Sequence, residues 1–203
     1  SGGKLLPYID MPLQHIADRV LKRMLRKVDK NAIEELVVRL RQAIPGLILR
    51  STFVVGFPGE TEEEFLELED FIRRTKFEWL GVFPYSFEET TPSSKLDGHL
   101  PEDVKKRRAD RIMEVQQGIA FAWAKAQHGK EIELIVDAAD EEIPGWYSCR
   151  SHADAPTIDT VVRLKAKGLH SGDIVRGRVY GSDGYDLLAR HLVPASVGGS
   201  ALR

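Results

Sequence analysis

Four short clusters carry the side chains with which this chain could do chemistry. Gln14-His15 follows a brief apolar run, and Gly56-Phe57-Pro58-Gly59-Glu60-Thr61 interrupts a stretch rich in β-branched and aromatic residues. Tyr85-Ser86 closes another apolar run, and Arg50 stands just upstream of the glycine-rich loop. Paired glycines let the backbone approach a ligand closely, although a Gly-x-x-Gly is also common in ordinary βα turns. The remaining reactive residues are less promising. Six histidines (His15, His99, His128, His152, His170 and His191) show no metal-ligand spacing, and Cys149 reads as a small buried hydrophobe. Lys105-Lys106-Arg107-Arg108 resembles a basic patch for RNA. Glu102, Asp103, Asp110 and Glu114 surround it, so a solvated helix face with i,i+4 pairs is expected. Trp146, Tyr147 and Tyr180 could stack on bases, but in a small barrel such residues usually belong to core or rim.

The elements that must position the clusters follow from periodicity. Tyr8–Leu13, bounded by prolines, reads as a buried strand. Asp18–Lys27 has Val20, Leu21 and Met24 on one face and Arg19, Lys22, Arg23, Arg26 and Lys27 on the other, the pattern of an amphipathic helix. A second helix is expected over Asn31–Ala43, stopped by Pro45-Gly46, and a strand over Leu47–Val55. Thr61 and Glu64 form a capping box that opens a helix to Arg74. Trp79–Tyr85 reads as a strand, and Pro101 starts a long helix to about Gln127. Strands separated by helical crossovers predict a parallel sheet or a (β/α) barrel.

Near His128-Gly129 the pattern changes. Short alternating runs at Glu131–Asp137, Trp146–Arg150, Val161–Lys165, Ile174–Tyr180 and Tyr185–Leu192, separated by turn formers, predict a five-stranded antiparallel barrel of OB-like size. The expected organisation is an α/β domain over 1–127, a small all-β domain over 128–194 and a disordered tail over 195–203. Hydrophobic content of 42% and charged content of 30% suit a globular protein. No apolar run could span a bilayer, no signal-peptide pattern opens the chain, and one cysteine excludes an intramolecular disulfide. A cytoplasmic location without membrane association is expected.

In parallel (β/α) architectures, functional groups gather at the C-terminal ends of strands. Gln14, Gly56 to Glu60, and Tyr85 occupy three such ends and are expected to share a rim. Alternation puts Arg50, Thr52 and Val54 on one face of their strand, too polar for a dry core and suited to a lumen holding a polar cofactor.

These residues carry a resemblance. Tyr8-Ile9-Asp10-Met11-Pro12-Leu13-Gln14-His15, Gly56-Phe57-Pro58-Gly59-Glu60-Thr61, Tyr85-Ser86 and Arg150–Asp159 resemble the radical S-adenosylmethionine (SAM) methylthiotransferases. The likeness is closest to the branch that modifies an aspartate of the small-subunit ribosomal protein S-twelve. The resemblance implies the C-terminal half of a radical SAM (β/α) barrel followed by a TRAM domain. It also implies that Gln14, Arg50, Gly56, Phe57, Glu60 and Tyr85 line or flank an S-adenosylmethionine site. The family needs two [4Fe–4S] clusters, and iron–sulfur clusters need thiolates. With one cysteine, in the other domain, the chain reads as the C-terminal part of a longer enzyme. It is expected to bind no cluster or cofactor and to be inactive alone.

Charge bears on the partner. Residues 128–194 hold eight Lys/Arg against eleven Asp/Glu, a net of −3. Phosphate binding draws on cationic contacts, so RNA is an unlikely partner and a basic ribosomal protein the expected one. Asp154, Asp159, Asp183 and Asp186 are the candidate docking residues. The alternatives are a transfer-RNA methylthiotransferase fragment or a free-standing RNA-binding TRAM module.

Overall fold

The computed structural model describes residues 5–193, so the expected tail at 195–203 lies outside the described residues. The chain divides into two units, Ser1–Trp123 and Ala124–Arg203.

The first unit runs β1 (Tyr8–Asp10), α1 (Asp18–Arg23), α2 (Lys30–Ala43), β2 (Ile48–Val55), α3 (Glu62–Thr75) and β3 (Trp79–Pro84). A short 3-10 turn at Pro92–Lys95 then leads to α4 (Glu102–Ala126). The strands form one parallel sheet in the order β1-β2-β3, because each connection is a helical crossover. This is the arrangement expected of a partial (β/α) barrel. Local signals set the helix starts: Asp29 accepts from the Ala32 N–H at 2.8 Å, and Thr61 and Glu64 make both bonds of the capping box.

One helix is shorter than its periodicity predicts. α1 was expected to reach Lys27 but ends at Arg23, because Leu25 adopts a left-handed backbone with φ 58°. The Arg26 N–H reaches back to the Leu21 carbonyl and the Leu25 N–H to that of Lys22, which closes the end as a Schellman motif.

β2 divides the unit by face. Leu49, Phe53 and Val55 are fully buried with α2, α3 and α4 residues, and Phe53, Phe71 and Phe77 meet edge-on with centroids 5.7–6.3 Å apart. Ser51, also buried, donates to the Met11 carbonyl at 2.9 Å. Arg50, Thr52 and Val54 lie half-buried on the opposite face. At the N-terminal end of the sheet, buried Glu78 accepts from the Leu49 N–H and from Arg41.

The second unit is a closed barrel of β4 (Glu131–Ala139), β5 (Trp146–Arg150), β6 (Val162–Lys165), β7 (Ile174–Asp183) and β8 (Asp186–His191), in the order β4-β5-β6-β8-β7. It is not wholly antiparallel as expected, since β6 and β8 run parallel. Parity requires this: strand directions cannot alternate all the way round a closed ring of five. The interior is filled by Leu134, Val136, Cys149, Val162, Leu164, Val179, Leu187 and Ala189. Burial pushes the Cys149 thiol up to about 12, so it is an inert filler.

Gly177 sits inside this barrel, and a Cβ there would lie 2.9 Å from Leu134 Cδ1 and 3.3 Å from the Ala189 Cβ. Gly177→Val is expected to destabilise the barrel by about 1–3 kcal/mol through overpacking, measured by urea unfolding. An unchanged midpoint would show that the interior has spare room.

Candidate functional site

The C-terminal end of β2 is where the clusters meet. Gln14 makes a single parallel bridge with Phe53: its N–H donates to the Thr52 carbonyl, and its carbonyl accepts from the Val54 N–H, both at 2.9 Å. On the other side the Tyr85 N–H donates to the Val55 carbonyl. Gln14 and Tyr85 are thus held on either side of the same strand end, where Gly56 turns the chain with φ 70°. Gln14, Phe57 and Tyr85 line one open cavity of about 510 Å³, with Val54, Arg23, Met24, Leu25 and Arg26 and the Pro92, Ser93 and Leu96 wall. That volume lies within the range of small-molecule sites. Phe57 and Tyr85 meet edge-on at 5.2 Å, and the Tyr85 hydroxyl donates to Ser93 Oγ at 3.0 Å.

Four positions outside glycine have positive φ among the described residues, and two of them, Gln14 and Leu25, line this cavity. Such backbone is costly for side-chain-bearing residues and gathers at functional sites.

Glu60 supports the cavity from behind instead of lining it. It is buried, and its Oε2 accepts from the Gly56 N–H at 2.6 Å and the Phe57 N–H at 3.2 Å. Its Oε1 pairs with Arg108 at 2.7 Å. His15 Nδ1 accepts from the Ala17 N–H, which leaves Nε2 protonated and 3.7 Å from Glu60 Oε2. Arg50 also stays outside the cavity; its Nη1 lies 3.2 Å from Asp10 Oδ2 on the half-buried sheet face.

Cations clamp the loop from both sides, and sequence reading missed them. From α1, Arg19 donates to the Gly59 carbonyl at 2.6 Å and Arg23 to the Pro58 carbonyl at 2.9 Å. From α4, Arg108 holds Glu60, while the Lys105 stem packs against Gly56 so closely that a Cβ there would lie 2.5 Å from its Cγ. The Lys105 ammonium stands 5.3 Å from the Tyr85 ring centroid. The expected solvated face therefore holds only for Lys106 and Arg107, which pair with Asp110 and Asp103. Lys105 and Arg108 are buried, and the signal was available: they continue the inward stripe Ala109, Ile112, Val115.

In the barrel unit Asp154 is not at the surface as expected. It is buried and accepts from the Ser151 N–H and hydroxyl and from Thr160 Oγ1, so it orders its own loop. Asp159 accepts from the Ala155 N–H and Asp186 from the Val161 N–H, both half-buried, whereas Asp183 is exposed.

Burial governs the two titrating groups behind the cavity. It lowers His15 from 6.5 to about 4, and it raises Glu60 from 4.5 to about 7 against the pull of Arg108 and two N–H groups. The His15 contribution to stability is complete above pH 6.5 and is lost as pH falls through about 4. The Glu60 contribution is complete below pH 4.5 and is lost as pH rises through about 7. Each shift corresponds to about 3 kcal/mol, of opposite sign over nearly the same window. Glu60→Gln is therefore expected to reveal an acid-labile chain that loses about 2–3 kcal/mol between pH 7 and 4.5, whereas the wild type changes little. Urea unfolding across that range checks this, and a flat profile for the variant would show that His15 is not held neutral.

Comparison with known proteins follows this division. The radical SAM superfamily model matches residues 2–72, and the TRAM domain model matches residues 129–192. The ribosomal protein uS12 methylthiotransferase RimO of Symbiobacterium thermophilum is 43% identical over 201 residues, covering 98% of this chain and 41% of the relative. The enzyme of the same name from Aquifex aeolicus is 42% identical over 191 residues, covering 94% and 44%. That from Bordetella pertussis is 44% identical over 188 residues, covering 92% and 42%. Among solved structures, coproporphyrinogen III oxidase from Escherichia coli, a radical SAM enzyme, aligns over 57% of this chain and 27% of its own, with TM-score 0.46 and 18% identity. The chain spans about two fifths of the length of these methylthiotransferases. In sequence the chain is thus similar along nearly its whole length to uS12 methylthiotransferases, with a radical SAM superfamily model and a TRAM domain model each matching one segment of it.

Proposed function

We propose that this chain forms the cofactor-walling and substrate-docking portion of an enzyme that adds a methylthio group to the β-carbon of an aspartate in ribosomal protein uS12. The observation that carries the reading is the cavity at the β2 end, where Gln14, Phe57 and Tyr85 converge, in a chain about 43% identical along nearly its whole length to uS12 methylthiotransferases. Its aromatic and apolar walls and its polar Gln14 fit S-adenosylmethionine, an adenine-bearing cofactor with a charged tail. Gln14, Gly56, Phe57 and Tyr85 would hold it. Glu60 would fix the loop, and Arg50 would flank the site from the sheet face. When bound in the complete enzyme, S-adenosylmethionine supplies the methyl group and the activation of an inert C–H bond.

The residues present do not fit an iron–sulfur cluster. The one cysteine is sealed inside the barrel with its thiol held protonated, and no group of three or more metal-binding side chains occurs among the described residues. No helix among the described residues is long and apolar enough to cross a membrane. Anaerobic reconstitution of the 203-residue chain is expected to leave it without iron or sulfide. The intact polypeptide is expected to incorporate both and to raise the mass of uS12 by one methylthio group. Stoichiometric iron on the short chain, or unmodified uS12 with the intact one, would overturn the reading.

For the partner, the net of −3 over residues 128–194 supports docking of a basic protein, with exposed Asp183 and the half-buried Asp159 and Asp186 as its candidate contacts. Arg163 over Trp146 and Arg190 over Tyr180 favour the second reading, an RNA-binding barrel. Asp183→Lys is expected to weaken uS12 capture at low salt and to leave folding intact, because exposed charges are screened beyond about 8 Å at physiological ionic strength. Retention of transfer RNA at physiological salt, with no capture of uS12, would transfer the assignment to the RNA reading.

A further inference from the structure

Leu25 occupies the position that closes α1, where glycine is the usual residue because it has no Cβ to clash in the left-handed region. The leucine gains nothing from packing, since it is 76% exposed, yet it lines the cavity mouth beside Arg26. The neighbouring arginine, Arg23, is already committed to the Pro58 carbonyl and to Asp97. Arg26 is exposed and donates to the Pro12 carbonyl at 3.2 Å. None of the described residues lining the cavity is a carboxylate, so its mouth favours an anion.

Arg26 also lines a second cavity, of about 530 Å³, that continues past Pro12, Val28 and Leu36. Val28 and Leu36 are exposed apolar residues like Leu25. The two cavities share Arg26, and their apolar walls carry an excess of cations: Arg23 in the first, Lys27 and Arg39 in the second, against the one carboxylate of Glu35.

We propose that Leu25 and Arg26 are the substrate-facing rim of the site. They grip a polypeptide segment whose acidic side chain pairs with Arg26 while a neighbouring apolar residue packs on Leu25. This rests on the reading that the substrate is an aspartate-bearing protein. It adds the residues that select for that segment and explains why a strained leucine stands where glycine would fold better.

The test uses the intact polypeptide and a fluorescent peptide copying the uS12 segment around its target aspartate, with binding followed by anisotropy. Leu25→Gly is expected to raise the folding equilibrium constant by roughly 5-fold by removing the left-handed strain. The same change should weaken peptide binding by about 10-fold, the worth of one buried leucine side chain. Leu25→Asn, which tolerates the same backbone, should weaken binding similarly. Arg26→Gln should weaken binding and flatten its salt dependence. Peptide binding unchanged in both Leu25 variants overturns the proposal, as does a loss confined to S-adenosylmethionine affinity, which would assign the rim to the cofactor. A wild-type protein that does not bind the peptide removes the underlying substrate reading, and the rim assignment with it.

Discussion

A carboxylate without access to water holds this α/β unit together at its working end. Glu60 takes two N–H groups from its own loop and a guanidinium from α4, forty-eight residues away in sequence. Placing a charge there is costly, and Arg108 and the two N–H groups offset only part of that cost, which is why burial still raises the Glu60 carboxyl to about 7. Removing one partner of such a pair typically costs about 3–5 kcal/mol, because the other is left buried and unpaired. The loop that aims Phe57 at the cavity therefore cannot drift independently of α4, and α4 cannot shift without opening the loop. Lys105 adds a steric lock by filling the space where Gly56 has no side chain. Any larger residue at position 56 would collide with it as well as strain the turn.

The clamp also explains how a shallow site can be rigid. The cavity is open, and its walls come from four separate segments: the stretch after β1, the end of α1, the end of β2 with its loop, and the stretch following β3. Apart from Arg23 at the end of α1 and Val54 in β2, the lining residues lie outside the α-helices and strands, and loops alone position side chains poorly. Rigidity comes instead from hydrogen bonds to carbonyls, charged ones from Arg19 and Arg23 to Gly59 and Pro58 and a backbone one from the Gly59 N–H to Gly98. Hydrogen bonds to charged groups are worth about 1.5–3 kcal/mol each, enough for the two arginines to fix the loop, while Gln14 is held by its backbone bonds to Thr52 and Val54.

Legibility from sequence followed the range of the deciding interaction. The β2–loop–α3 segment was readable because its strand composition, its glycines and its Thr61/Glu64 cap all act within a few residues. The convergence of Gln14 and Tyr85 on one strand end was readable because parallel topology dictates which ends share a rim. The end of α1 was not, because Leu25 gives no glycine signal for the turn it makes. Arg108 and Lys105 were misread when judged by the charges next to them; the helical period they share with Ala109 and Ile112 was the better guide. Asp154 was misplaced because Ser151 and Thr160, in the same loop, take its carboxylate inward, an arrangement that strand alternation does not encode.

The barrel shows the same limit for electrostatics. A net of −3 over residues 128–194 suggests a uniformly acidic surface, but register arranges the charges otherwise. Lys165 stands opposite Arg190, and Arg190 opposite Arg178, three cations in a row across β6, β8 and β7. Directly opposed like charges destabilise a sheet. Here the repulsion is relieved at one end by Glu131, which pairs with Arg178 across β4, and in the middle by the Tyr180 ring beneath Arg190. The acidic residues that set the net sign include Asp154, which is turned inward, and Asp140, which is spent on the Glu142 and Ile143 N–H groups of its own turn. What a partner meets along this row is therefore a run of cations ending in one carboxylate, which the total charge of the domain does not show.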